Sequence, residues 1–561
     1  MAYDLKSVKG PRIAGWKLKL VTSLSEKPVS GGAITQRMLA DVGVERFRAR
    51  SASAGTPTAQ PLPKVGDTRF GAPEVGDVLR DGLSPRTPED GYRPLGVQDY
   101  ANAYRNGETT PVSVAEAILL ANDAIEQDDM NLFISQDPED VMRQAEASAE
   151  RHRRGEPLGI LDGVPVGVKD EVDQSGYGTS VGTRIHGQTK AREDSFSVGR
   201  LRSQGALLIG KLNMHELGMG VTGINVHHGT PRNPYNPQHI TGGSSSASAA
   251  AVGAGLCPLA LGADGGGSIR VPASFCGVVG LKPTYGRISE HGAAPLCWSV
   301  AHLGPMAFTA ADAAIGYAAM AGVDRRDPNT LAQPTVTLAG LEDADCKGLK
   351  IGVYDEWFQD ADDEVIASCA NAIDELVARG AERVPITLYD LDLVRTAHLI
   401  TIASEMAASQ KAVPRGEHHK YGCDTRLLLR VAETLTAVDY INARRHREVL
   451  TEQFLDVLQS VDVIATPTTG VTAPVLHADA LEAGETNLAL VTRIMRFAPA
   501  ANLTGLPGIS VPVGYDQNGL PIGLQFLGRP WDEQRLLGLA HLADSFIARQ
   551  KPERSYAPTL T

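Results

Sequence analysis

From residue 160 onward short apolar runs alternate with helical stretches, and that alternation most constrains what the chain can fold into. LDGVPVGVKD at 161–170 has the period-two pattern of a strand ending on charged residues. GALLIGK at 205–211, KGLKIGVYD at 347–355, VDVIATPTT at 461–469 and PGISVPVGY at 507–515 read as further strands, and DEVIASCANAIDELVARG at 363–380 as a helix. Strands interleaved with helices predict an α/β fold with both sheet faces covered. A length of 561 residues would allow three or four domains, but α/β enzymes also grow as one large unit.

The N-terminal part is organised differently. Ile13, Trp16, Leu20 and Leu24 recur at helical spacing, with Lys17 and Lys19 beside them, so residues 10–50 read as an amphipathic extension. The apolar stripe must bury against something. The protein's own body, a dimer partner and a membrane surface all stay open. Residues 51–95 are rich in Pro, Gly, Ser and Thr and read as a linker or surface strap. Helical patterns begin near Val97 and again at Pro111, an N1 proline that Thr110 is placed to cap.

The net charge of −13 disfavours nucleic acid as a partner, since such a surface repels phosphates. The six cysteines form no CxxC pair, which fits reduced thiols in a cytoplasmic protein. The first residues lack the apolar run of a signal peptide, and no run reaches the ~18 apolar residues of a membrane span. His227-His228 and His418-His419 have no Cys, Asp or Glu at ligand spacing, so no metal is expected.

Three segments carry chemistry. In 241–268 a turn, Gly242-Gly243-Ser244-Ser245-Ser246, feeds an Ala-rich stretch to Ala254, so backbone donors and hydroxyls can converge at a helix start. Asp264-Gly265-Gly266-Gly267-Ser268-Ile269-Arg270 sets three glycines before one serine. Such glycines are entropically expensive and useful where backbone N–H groups must face a ligand, as an oxyanion requires. A phosphate loop would need a following Lys-Ser/Thr, which is missing. Gly163-Val164-Pro165-Val166-Gly167-Val168-Lys169-Asp170 ends an apolar strand on a lysine. Burial there would favour the neutral amine, a potential general base, while pairing with Asp170 or Asp162 is the plainer alternative.

Together these segments resemble the amidase signature family: Lys169 in GVPVGVKD, Ser244 in TGGSSSAS and Ser268 in ADGGGSIR. KLNMHELGMG at 211–220, TPRNPYNP at 230–237, GLKPTYGRIS at 280–289 and NLTGLPGISVPVGY at 502–515 continue the resemblance across roughly 96–545. Ala247 departs from the glycine many members carry there. GPRIAGWKLKLV at 10–21 and GETNLALVTRIMRFAPAANLTG at 484–505 are similar to the plant-type fatty acid amide hydrolase subfamily.

The resemblance implies a large mixed β-sheet covered by helices on both faces, with 1–95 as extension and linker and 96–550 as the catalytic domain. It implies a Ser268 nucleophile, Ser244 as bridge in a cis peptide, and Lys169 as base. Gly265, Gly266, Gly267 and Ser268 would supply the oxyanion N–H groups, and Gly218, Met219 and Ser244 would contact substrate. Asp264 and Arg270 would orient the loop. Met219, Ile494, Met495 and Phe497 are candidates for an acyl channel, with ordinary core packing as the alternative. The expected reaction is metal- and cofactor-free hydrolysis of an N-acyl amine or fatty acid amide by a homodimer, cytoplasmic or peripheral at a membrane. The other roles open to such a core are the amidase component of a tRNA-dependent amidotransferase and an amidase for small or aryl amides.

Overall fold

The computed structural model describes residues 3–51, 55–56, 74–86, 88, 91–558 and 560. At its centre is an 11-stranded sheet. In spatial order its strands are Phe133–Ser135, Leu207–Leu212, Pro165–Lys169, Leu259–Ala263, Leu303–Ala307, Val279–Lys282, Gly508–Tyr515, Pro521–Leu527, Val463–Pro467, Lys350–Val353 and Glu382–Pro385. Pro165–Lys169 runs parallel to both its neighbours, and Lys350–Val353 likewise; the remaining pairs are antiparallel. Helices flank this mixed sheet, and the strands Pro165–Lys169, Leu207–Leu212, Leu259–Ala263 and Leu303–Ala307 are buried along their whole length, as strands covered on both faces must be.

The segments flanking the site fold as their sequences dictate. Thr110 caps the helix Pro111–Gln127 by accepting the Ser113 N–H. Ser246–Gly253 forms a wholly buried helix. Its alanines favour helix, and their small side chains let it lie close on the strands Pro165–Lys169, Leu259–Ala263 and Leu303–Ala307.

The extension forms α1 (Gly15–Ser25), α2 (Pro28–Asp41) and α3 (Val44–Ala49), and Ile13–Ala14 pairs antiparallel with Glu485–Thr486. The expected buried stripe is not the one the fold uses. α1 buries Gly15, Leu18, Thr22 and Ser25, while Trp16 is 70% and Leu20 52% exposed; Ile13 and Leu24 are half-buried. The reason is close packing of a small-residue face on the helix Cys423–Ala432, where the Thr22 hydroxyl donates to the Cys423 carbonyl at 3.0 Å. The extension is also no separate body. Leu39, Val42, Val44 and Phe47 share a core with Leu393, Val394, Leu450 and Phe454. Residues 57–73 of the expected linker lie outside the described residues, and its later part carries a short helix, Gly76–Asp81.

Candidate active site

Lys169 ends its strand with a fully buried side chain. Its Nζ donates to Ser244 Oγ at 2.8 Å and to the Ala263 carbonyl at 3.3 Å. The partner carboxylate is neither Asp170 nor Asp162 but Glu171, whose Oε2 lies 2.7 Å from Nζ. The chain turns directly after the strand, with Val172 N–H donating to the Lys169 carbonyl at 3.1 Å, and Glu171 lies within that turn beside Lys169. Asp170 pairs with Lys211 at 3.3 Å and Asp162 with Arg151 at 2.6 Å.

Ser244 follows a cis peptide bond at Gly243–Ser244. The two glycine-rich segments are tied together behind it. Ser245 N–H donates to the Ser268 carbonyl at 3.2 Å, and Ser245 Oγ bonds both the N–H and the carbonyl of Ala263. The glycines have steric reasons. A Cβ at Gly265 would lie 2.8 Å from Cys297 Sγ, at Gly266 2.8 Å from His398 Cε1, and at Gly267 2.7 Å from Ala498 Cβ. Gly267 also adopts φ 119°, a conformation that disfavours any side chain.

The loop is anchored from below. Asp264 accepts from the N–H groups of Gly267 (2.6 Å) and Ile269 (3.1 Å) and from Arg270 Nε at 3.0 Å. Arg270 in turn reaches Gln525 and Asn502, each at 2.6 Å. Burial alone would raise the Asp264 carboxyl; the Arg270 guanidinium and the hydrogen bonds outweigh it and hold the group far below the usual carboxylate range. His398, on the helix Leu391–Ser409, donates from Nε2 to the Gly265 carbonyl at 2.8 Å. Burial holds its imidazole down at about 4, so it stays neutral. Gly267 N–H is committed to Asp264; among the described residues no acceptor meets the N–H groups of Gly265, Gly266 and Ser268.

Ser268 lines an apolar cavity of about 170 Å³. Gly218, Met219 and Gly266 line it with Ser268, as do Ile402 and Met406, Met38 and Leu39 of α2, Val44 of α3 and Val42 between these two helices.

The chain has counterparts in sequence and in fold. The family model described as Amidase matches residues 116–537. The chain belongs to the amidase signature family. It is 39% identical to a fatty acid amide hydrolase of Arabidopsis thaliana over 96% of this chain and 93% of that one. It is 35% identical to a glutamyl-tRNA(Gln) amidotransferase subunit of Methylococcus capsulatus, over 73% of this chain and 89% of that one. The X-ray structure of the native peptide amidase from Stenotrophomonas maltophilia superposes with a TM-score of 0.70 at 28% identity, covering 82% of this chain and 98% of that one. The chain is accordingly an amide-hydrolysing enzyme.

In this amidase Lys169 and Ser244 are in contact, and Ser268, Gly218, Met219 and Gly266 line one cavity, while Ser244, Gly265 and Gly267 are not among its lining residues and no hydrogen bond joins Ser244 to Ser268 among the described residues. A Cβ at Gly218 would stand 3.4 Å from Ser244 Oγ. Met495 lines the cavity, but Ile494 and Phe497 do not; both are buried in the core, Phe497 against Trp357. Sequence reasoning missed Glu171, His398, Ile402, Met406 and the α2–α3 wall. Only Glu171 had a local signal, its two-residue offset from Lys169. The paired histidines serve hydrogen bonds, His227 to Glu216 at 2.7 Å and His228 to the Thr183 carbonyl at 3.1 Å. Among the described residues, no helix is long and apolar enough to cross a membrane.

Proposed function

We propose that this amidase hydrolyses long-chain N-acyl amines through Ser268, with Ser244 as proton bridge and Lys169 as base. The observation that carries the substrate class is the cavity. It is lined by Ser268, by aliphatic and methionine side chains almost wholly otherwise, and by residues of the extension. Apolar chains are driven into such a space by removal from water. The likeness to a plant fatty acid amide hydrolase over nearly the whole chain, extension included, supports the same substrate class.

In the reaction, the Lys169 amine takes the Ser244 proton as Ser244 takes that of Ser268, and Ser268 Oγ attacks the amide carbonyl. The free N–H groups of Gly265, Gly266 and Ser268 receive the developing oxyanion, while Gly267 keeps the loop in shape through Asp264. Ser244 then returns a proton to the departing amine, the C–N bond breaks, and water releases the acid from Ser268. The extension belongs to the catalytic body as a cavity wall. The exposed Trp16 and Leu20 of α1 suit a lipid surface or a second copy of the chain, consistent with a cytoplasmic homodimer that meets membranes peripherally.

The test is hydrolysis by purified protein of ethanolamides of graded acyl length, with Ser268→Ala as control. Rising kcat/KM with chain length and loss of fluorophosphonate labelling in the variant are expected. Equal turnover of short amides, or activity only with added partner proteins, would sink the reading; the latter is what an amidotransferase component would give.

A further inference from the structure

The backbone N–H groups of Gly265, Gly266 and Ser268 meet no acceptor among the described residues. A trans peptide is planar, and its carbonyl and N–H point opposite ways. Whatever holds the carbonyl therefore aims the N–H of the next residue. Each of these N–H groups has such a holder. The Asp264 carbonyl accepts from Asn502 Nδ2 at 2.9 Å, which aims the Gly265 N–H. The Gly267 carbonyl accepts from the Val271 N–H at 2.7 Å, which aims the Ser268 N–H. The Gly265 carbonyl accepts from His398 Nε2 at 2.8 Å, which aims the Gly266 N–H away from the imidazole.

The last holder differs from the other two. Asn502 also bonds the Asp264 carboxylate and Arg270, and Val271 directly follows the loop, so both belong to the loop's own anchorage. His398 comes from the helix Leu391–Ser409 and is 2% exposed. Among the described residues no other donor reaches the Gly265 carbonyl. The peptide plane it holds lies between two glycines, so no side chain resists its rotation. Asp264 does not hold that plane, since its carboxylate takes the N–H groups of Gly267 and Ile269. A carbonyl can only accept, so Nε2 carries the hydrogen of the neutral ring.

We propose that His398 is a positioning residue of this amidase: by holding the Gly265 carbonyl, it keeps the Gly266 N–H turned toward the oxyanion that forms at Ser268. Gly266 and Ser268 line the same cavity. The inference rests on the reading of Ser268 as nucleophile. His398 exchanges no proton in the reaction, and its Nε2–H stays on the carbonyl throughout. An N–H that swings away is lost to the transition state and not to the bound amide, so the loss falls on kcat and leaves KM.

The experiment is steady-state hydrolysis of decanoyl p-nitroanilide by the full chain, in wild type, His398→Gln, His398→Ala, His398→Leu and Ser268→Ala. Each rate is divided by the number of sites that a fluorophosphonate labels at completion. The Ala and Leu variants lack the donor. Their kcat per labelled site should fall about tenfold or more, with KM within about twofold of wild type. Inhibition by a nonyl trifluoromethyl ketone, whose serine adduct bears an oxyanion, should weaken by the same factor. His398→Gln can still donate and should recover most of kcat. A merely structural histidine would reduce the number of labelled sites and leave kcat per site and ketone inhibition as in wild type. That result overturns the inference, as does a loss confined to KM or a Gln variant no faster than Ala. Either variant without the donor suffices if the other does not fold. If Ser268→Ala still hydrolyses the anilide, the nucleophile reading fails and takes the inference with it. If Ser268→Ala is inert while the Ala and Leu variants of His398 match wild type, only the role of His398 fails.

Discussion

At the scale of single residues, the site depends on a few buried polar side chains. Lys169→Ala should depress hydrolysis most near neutral pH and recover part of it at alkaline pH, because hydroxide can replace a lost base but not a lost nucleophile. A pH–rate profile parallel to wild type would make the lysine structural. His398 gives a stability prediction. Its imidazole is held at about 4 against an ordinary 6.5, chiefly by burial. The unfolded chain therefore takes up a proton first as pH falls, so the stability this group contributes is whole above 6.5 and is lost progressively toward 4. His398→Gln keeps an N–H for the Gly265 carbonyl but does not titrate. Its melting temperature should fall less steeply than wild type between those two pH values, and identical slopes would contradict the assignment. What the sequence showed at this scale was the chemistry concentrated in short motifs: Lys169, Ser244, Ser268 and the three glycines. It could not show His398, because nothing local marks a histidine 133 residues away as the partner of a loop carbonyl.

At the scale of elements, period-two runs bounded by turns were readable. LDGVPVGVKD, GALLIGK and PGISVPVGY each contain a strand of the sheet. The α1 stripe misled for a physical reason. Spacing identifies which residues share a face, but not whether that face or a smaller one packs. Here Gly15, Leu18, Thr22 and Ser25 permit a closer approach than Trp16 and Leu20 would. The extension reaches the cavity through α2 and α3, by Met38, Leu39 and Val44 and by Val42 between the two helices. Met38, half-buried at the cavity edge, offers the mildest perturbation. Met38→Trp should narrow the space, lowering kcat/KM for long acyl amides about tenfold more than for short ones, because overpacking is felt only by the chain that reaches it. Steady-state kinetics on a C4 and a C16 ethanolamide check this, and a uniform change across both lengths would exclude the α2 face from the acyl path.

At the scale of the whole molecule, the extension is joined to the catalytic body in two different ways. Its rim is tied by ion pairs, Arg12 with Glu485 at 2.6 Å, Arg48 with Asp439 at 2.7 Å and Arg426 with Glu26 at 2.6 Å. Their arginines remain 20–39% exposed, and pairs open to water on one side contribute roughly 1 kcal/mol each and weaken with salt. Its inner side is apolar: Leu39, Val42, Val44 and Phe47 are each under a tenth exposed and share the core of the helix Leu391–Ser409. Fully burying such side chains yields about 1.5–3 kcal/mol each, so the apolar seam and not the charged rim holds the extension in place. That helix also carries His398, Ile402 and Met406, which places the seam one helix away from the Ser268 loop. Removing residues 1–50 should therefore do two things at once. It should lower the melting temperature, since the seam is uncovered, and it should raise KM for long acyl amides more than for short ones, since one cavity wall is lost. Fluorophosphonate labelling of Ser268 should persist in whatever fraction remains folded, because Lys169, Ser244 and Ser268 draw no hydrogen bond from residues 1–50 among the described residues. Equal KM changes for short and long substrates would reduce the extension to a stabilising strap, and unchanged kinetics with a lowered melting temperature would detach it from the substrate path altogether.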